Sequence, residues 1–242
     1  GFENTRIENS SVDLAITNVP FVTGLKVYDT TGDNDLSKKF KDIHDFCIAK
    51  NVRKLREGGI GIFISTNGTL DNSKKLREWV VNEGNSDFVG AFRLNNKTFI
   101  GTSVTSDIIV IRKRVNNQKS ENAINLNDIA TERVASYKTS EYKKGKEVSV
   151  TKELSMDYNK YFVEHPERMG GEMKFGFEEN NTYRPTSKSL YPTSSKDQSQ
   201  MLSDFAKSFS EEEVAKRRNE QLAEEIVEKA NPDRKIGEMF SS

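Results

Sequence analysis

Asn18, Val19, Pro20 and Phe21 are the residues whose types and spacing can do chemistry. They follow Val12–Ile16, an apolar run broken only by Asp13, which predicts a buried parallel strand. In open α/β sheets the carboxyl ends of such strands form the ligand crevice. The four residues combine an amide, a backbone carbonyl, a turn held by proline's fixed φ and missing N–H, and an aromatic ring. They also read as a strand-ending turn, with Asn capping and Phe entering the core. Chemistry is sparse elsewhere. Ser65 and Thr66 have no nearby partner for a nucleophile triad. His44, His165 and the single Cys47 make no metal spacing, so no metal is expected. His44 beside Asp45 could contact DNA or the turn, or simply pack. Lys26, Lys38, Lys39 and Lys41 can meet phosphate from the loop Val22–Lys41, although Asp29, Asp33 and Asp35 offset them.

The elements that must position this turn follow in order. Ser37 is a candidate N-cap for a helix with apolar residues at Phe40, Ile43, Cys47, Ile48, Val52 and Leu55, stopped by Gly58-Gly59. Ile60–Ser65 predicts a buried strand, Asn67-Gly68 a turn, and Ser73 the cap of a helix carrying Leu76, Trp79 and Val80. Phe88–Leu94 and Ser106–Arg112 predict two more strands. Strand, helix, strand, helix, strand, strand is α/β: the C-terminal half of a Rossmann-like, doubly wound sheet ending in a β-hairpin. A parallel sheet needs its strands covered, so an upstream half is expected in a parent protein. No glycine-rich phosphate loop of either common pattern occurs.

Composition shifts near residue 114. The expected organisation is a partial domain over 1–114, a linker and docking segment over 115–200, and a helical connector over 201–242. Asn116–Glu121 and Lys138–Lys146 read as polar linkers, Tyr158–Pro166 as a short packed element, and Thr186–Ser199 as exposed loop. Phe175–Phe177 and Tyr183 are candidates to dock on the first part. Ser210 and Glu213 form a capping-box pattern for a helix toward Ala230. The 242 residues carry 37 basic and 37 acidic side chains, so no global field attracts nucleic acid. One cysteine excludes a disulfide framework and fits a reducing compartment, so a cytoplasmic location is expected. No apolar run approaches the roughly 20 residues of a membrane span.

Asp13-Leu14-Ala15-Ile16-Thr17-Asn18-Val19-Pro20-Phe21 resembles the catalytic motif of adenine-N6 DNA methyltransferases, usually Asn/Asp/Ser-Pro-Pro-Tyr/Phe. Leu55–Ile64, with its double glycine, is similar to the helix end and strand that follow the motif in class I methyltransferases. Ala91–Phe99, Gly101-Thr102 and Thr105–Arg112 are similar to the closing hairpin of type I restriction-modification subunits. Gly1-Phe2-Glu3, Asn-Val-Pro-Phe and Ile43-His44-Asp45-Phe46 resemble the methylase region of large phage and conjugative-element proteins in which a methylase is joined to a helicase. The resemblance covers roughly residues 1–114, and a weaker one reaches Tyr161–Glu167.

The resemblance implies methylation of adenine N6 in DNA, with S-adenosylmethionine as cofactor and DNA as partner. Asn18, Val19, Pro20 and Phe21 would be catalytic, and of this chain only Asn18 and its neighbours would touch the methyl-donor end of the cofactor. Phe21, Lys26, Lys38 and Lys39 would contact nucleic acid. The Asn18 side-chain oxygen and the Val19 carbonyl would each accept one N–H of the amino group, and Phe21 would stack on the flipped base. Val19 stands where the family usually has proline, which leaves the carbonyl but permits a looser turn. The family's main cofactor loop lies upstream of the motif and outside this chain, so the fragment is expected to be inactive alone. The upstream half and a helicase domain are expected partners in the parent chain. The alternatives are a related methyltransferase acting on RNA or a protein glutamine, and a catalytically silent DNA-binding or scaffolding module of a helicase-linked protein.

Overall fold

The computed structural model describes residues 4–21, 27–176 and 187–209. Contacts divide the chain into one unit over Gly1–Met201 and another over Leu202–Ser242. In the first, β1 (Val12–Asn18) is followed by α1 (Asn34–Lys39), α2 (Ile43–Lys54), β2 (Leu55–Thr66), α3 (Gly68–Asp71) and α4 (Lys74–Asn82). Then come β3 (Ser86–Leu94) and β4 (Ser106–Lys113). These strands make one mixed sheet of order β1-β2-β4-β3. β1 runs parallel to β2, and the β2–β4 and β4–β3 pairs are antiparallel. This is the strand, helix, strand, helix, hairpin order of the sequence reading.

Three details differ from expectation. The helix expected from Ser37 is broken, because Phe40 turns extended and packs its ring edge-on against Trp79 at 5.7 Å. Ser37 lies inside α1, its hydroxyl donating to the Asn34 carbonyl at 3.0 Å. The second helix ends at Lys54, ahead of the glycine pair, because Leu55 is already extended and buried. Gly58-Gly59 instead forms an irregularity where the register jumps between Val12–Leu55 and Leu14–Ile60. A Cβ on Gly59 would meet the Arg56 carbonyl oxygen at 2.8 Å and that of Val12 at 3.1 Å, so the strands approach closely only because it has none. Nor is β1 covered on all sides. It is the sheet's edge among the described residues, and Leu14 and Ile16 are 53% and 68% exposed.

Beyond the sheet, Lys138–Lys146 is not a linker. β5 (Ile129–Lys143) and β6 (Lys146–Asn159) pair antiparallel through fourteen register pairs as a two-stranded ribbon. Its turn, Lys144-Gly145, has φ of 51° and 76° at the two central residues, as the tight hairpin turns matching strand twist require. α5 (Lys160–Glu164) buries Tyr161 and Phe162, so the expected packed element over Tyr158–Pro166 is present. β7 (Glu172–Gly176) pairs with β8 (Ser187–Tyr191), where an exposed loop was expected, and Leu190 is buried. α6 (Gln198–Lys207) follows. The Ser210–Ala230 helix, Phe177 and Tyr183 fall outside the described residues. No helix of the described residues is long and apolar enough to cross a membrane.

What joins these parts is a charge network. Arg93 of β3 is completely buried. Its Nε and Nη2 donate to the two oxygens of Asp107 at 2.7 and 2.8 Å, and Nη2 and Nη1 to those of Asp71 at 2.8 and 3.3 Å. Its guanidinium stacks 4.2 Å from the Phe162 ring. The Asn159 N–H donates to Asp71 at 2.9 Å, while its amide donates to the Leu70 and Leu126 carbonyls. Removing Arg93 would leave two buried carboxylates without their cation. Arg93→Met is therefore expected to cost about 3–5 kcal/mol. Urea unfolding checks this, and part of the loss should return at pH 4, where protonation relieves the unpaired acids.

Candidate active site

Parallel pairing aligns Asn18 with Ile64 and so brings the carboxyl ends of β1 and β2 together. Val19 extends that ladder by one step, its N–H donating to the Ile64 carbonyl at 2.9 Å, while its side chain is buried in the core. A proline could not make this bond. The valine therefore ties the turn down by a route that the proline-containing version lacks. Asn18 and Pro20 are exposed, and Phe21 is half-buried against the core.

The second wall comes from far along the chain. The β3–β4 loop reaches the same edge, since Asn67 N–H donates to the Thr105 carbonyl at 3.1 Å. From it Phe99 meets Phe21 edge-on, centroids 6.3 Å apart and planes at 75°. The loop is held at its root. The Asn95 amide donates to the Gly170 carbonyl, the Asn95 N–H to Gln198 Oε1 at 2.7 Å, and Gln198 Nε2 to Thr98 Oγ1 at 2.9 Å. Phe99 was not singled out in the sequence as a site residue; its place follows only from the hairpin's pairing.

The chain returning from the turn is anchored by Asp29. Its carboxylate accepts from buried Lys50 at 2.5 Å and from the N–H groups of Thr31 and Asp33. Burial opposes ionisation, but these donors outweigh it and hold the carboxyl down at about 2. Asp33 in turn meets Lys54 at 2.7 Å and Arg53 at 3.1 Å. Lys38 is exposed on α1, whereas Lys39 is ion-paired with Glu83. Lys26 lies outside the described residues. His44 is half-buried, and burial lowers its basicity. Among the described residues no cluster of His, Cys, Asp and Glu could hold a metal.

No family model matches the chain, and no curated protein matches it. Solved structures do resemble it. One is a protein from Vibrio vulnificus YJ016 assigned as a type I restriction-enzyme modification subunit, with 19% identity, 43% of this chain and 23% of that one covered, and a TM-score of 0.34. A second, from Listeria monocytogenes, is assigned as a class I S-adenosylmethionine-dependent methyltransferase, with 18% identity, coverages of 51% and 40%, and a TM-score of 0.39. A third is the M protein of the type I restriction enzyme EcoKI, with 16% identity, coverages of 50% and 24%, and a TM-score of 0.32. The chain thus spans less than half the length of each of these three.

Asp45, in the first turn of α2, supplies a pH test. Burial, with the nearby Asp42 charge, pushes its carboxyl up to about 6 against the pull of Ser73 and Arg77. A raised acid favours the protonated fold, so stability falls as pH rises from about 4 through 6. Asp45→Asn should remove that slope and gain about 1–2 kcal/mol at pH 7.5. Urea midpoints at pH 4 and 7.5 for both proteins check it.

Proposed function

We propose that the chain is the catalytic-motif half of a class I methyltransferase that modifies adenine N6 in DNA. The observation that carries this reading is the exposed Asn18, set beside a turn pinned through Val19, with Phe21 and Phe99 meeting at the same sheet edge. The exocyclic amino nitrogen of adenine shares its lone pair with the ring and is a poor nucleophile. With Asn18 Oδ1 and the Val19 carbonyl each accepting one of its N–H groups, the nitrogen becomes tetrahedral and presents the lone pair. Those acceptors also stabilise the positive charge that develops on it as the N–C bond forms and the sulfonium–methyl bond breaks. The methylated, cationic nitrogen is acidic enough to release one proton to water, so no strong base is needed. Phe21 offers an aromatic ring on which a flipped base can stack, and Phe99 packs against it in a T-shaped contact.

S-Adenosylmethionine, when bound, supplies the electrophilic methyl group. Asn18 is the residue of this chain that would lie at the methyl end. The free edge of β1 supports further strands beside it, and the exposed Leu14 and Ile16 support a covering layer on one of its faces, which together would bring the rest of the cofactor site. The helicase-linked parent belongs to the same reading.

Three substitutions at two positions, in the protein carrying the complete sheet, test it. Asn18→Ala should lower methyl transfer about 10²–10³-fold, the scale for losing one such electrostatic contact, while DNA affinity changes little. Single-turnover transfer, with methylation-sensitive digestion of cellular DNA, reads the outcome; unchanged methylation removes the role. Phe21→Ala should weaken use of the flipped base by about 1–3 kcal/mol. Phe21→Tyr should be tolerated. A stability loss of about 3–5 kcal/mol with Ala, together with intolerance of Tyr, would make Phe21 a core residue instead.

A further inference from the structure

The β5–β6 ribbon is the largest feature that the proposed reaction leaves unused. Fourteen paired residues at about 3.3 Å each give it a length of about 45 Å. Its distal half is exposed on both faces: Lys138, Ser140, Tyr142, Ser149 and Thr151 are open to solvent or nearly so, as are Lys143, Lys146 and Val148. It is therefore not a core element, and something other than packing must account for its length.

Charge says what it fits. Residues 138–152 hold five lysines and two glutamates, a net of 5 − 2 = +3 in a chain whose total is zero. Three of those lysines, Lys143, Lys144 and Lys146, sit at the tip, where Lys143 and Lys146 are directly opposed. Placing like charges opposite each other is locally unfavourable unless an anion joins them. Glu141 is engaged by Lys143 and Lys152, whereas Lys138, Lys144 and Lys146 carry no ion pair among the described residues. Lysines that merely protected free strand edges would be spread along both edges, not gathered at one end.

The faces differ as well. Register puts Lys138, Ser140 and Tyr142 with Thr151, Ser149 and Glu147 on one face, an array of hydrogen-bonding groups. The opposite face carries Glu141, Val148, Lys143 and Lys146. At the base, Asn159 is bonded to Leu70 and Asp71, in the turn that directly follows the carboxyl end of β2. The ribbon is thus rooted beside the carboxyl end of β2, which pairs with the end of β1 that carries Asn18.

We infer that the β5–β6 ribbon is a duplex-DNA arm, its tip lysines on backbone phosphates and its hydroxyl-bearing face in the major groove. A two-stranded ribbon fits that groove, which is about 12 Å wide. Phosphate contacts would fix register, and the Ser, Thr and Tyr groups would lie against base edges. This deepens the DNA reading above and rests on it for the substrate.

The test is duplex binding by the full chain, followed by fluorescence anisotropy over a salt series. The neutral variant carries Lys143→Gln, Lys144→Asn and Lys146→Gln; asparagine is chosen because it tolerates the positive φ at the turn. A second variant carries arginine at all three positions, and thermal midpoints confirm that both fold. The neutral variant should lose at least tenfold in duplex affinity at 0.1 M salt, with a log–log salt slope shallower by about 2.7, the value for three phosphates. The arginine variant should retain binding. Duplex affinity within twofold of the parent at an unchanged slope would overturn the inference, as would an equal loss on a single strand of the same sequence. Unchanged duplex binding with lost self-association in sedimentation would overturn it too, giving the ribbon to a second copy of the chain. Ribbon-dependent duplex binding by a complete protein that transfers no methyl group would sink the methyltransferase reading and leave the arm standing. Methyl transfer with ribbon-independent binding would do the reverse.

Discussion

Arg93 has no access to water and two carboxylates to satisfy. Burying a guanidinium is tolerable only if its donors are met, and here Asp71 and Asp107 meet them in forked geometry. The two acids outnumber the one cation, so the surplus charge is shared with the Asn159 N–H and with the nearby Arg77. Asp107 belongs to β4, Asp71 to the turn after β2, and Asn159 to the end of the ribbon. One interior charge therefore dictates how the sheet, its helical turn and the later segment meet. Hydrophobic contacts tolerate sliding; a bidentate pair does not.

A second polar anchor acts on the other side of the candidate site. Lys50 and Asp29 hold the chain that comes back from Phe21 against α2. Val19 is tied to Ile64 on one side, and Asp29 is tied to Lys50 on the other. The candidate turn is thus flanked by two hydrogen-bonded tethers in addition to the constraint of Pro20.

The sheet was legible because its strands are apolar runs of strand length between turn residues, and that signal is local. The helix break at Phe40 was hidden, since the pattern of apolar spacing is the same whether Phe40 is helical or turned toward Trp79. The Arg93 network and the Phe21–Phe99 contact were hidden for another reason. Each joins residues brought together only by strand pairing, and neither leaves a mark in composition or period. The ribbon was misread as a linker because a strand pair wet on both faces shows no apolar alternation. Only Lys144-Gly145, a turn-forming pair, hinted at it. Asn18, Val19, Pro20 and Phe21 were visible as a motif, while the pinning of Val19 through its N–H was not.

The ribbon's pairing has a consequence for how such a protein can change. Every rung joins residues on either side of one two-residue turn, so the ribbon can be lengthened without rethreading anything behind it. One residue added to each strand advances the tip by about 3.3 Å and exchanges the two faces. Two added to each strand advance it twice as far and restore them. Reach and facing are thus adjustable by small paired insertions, while the buried Asn159 end and the sheet edge beside it stay as they are.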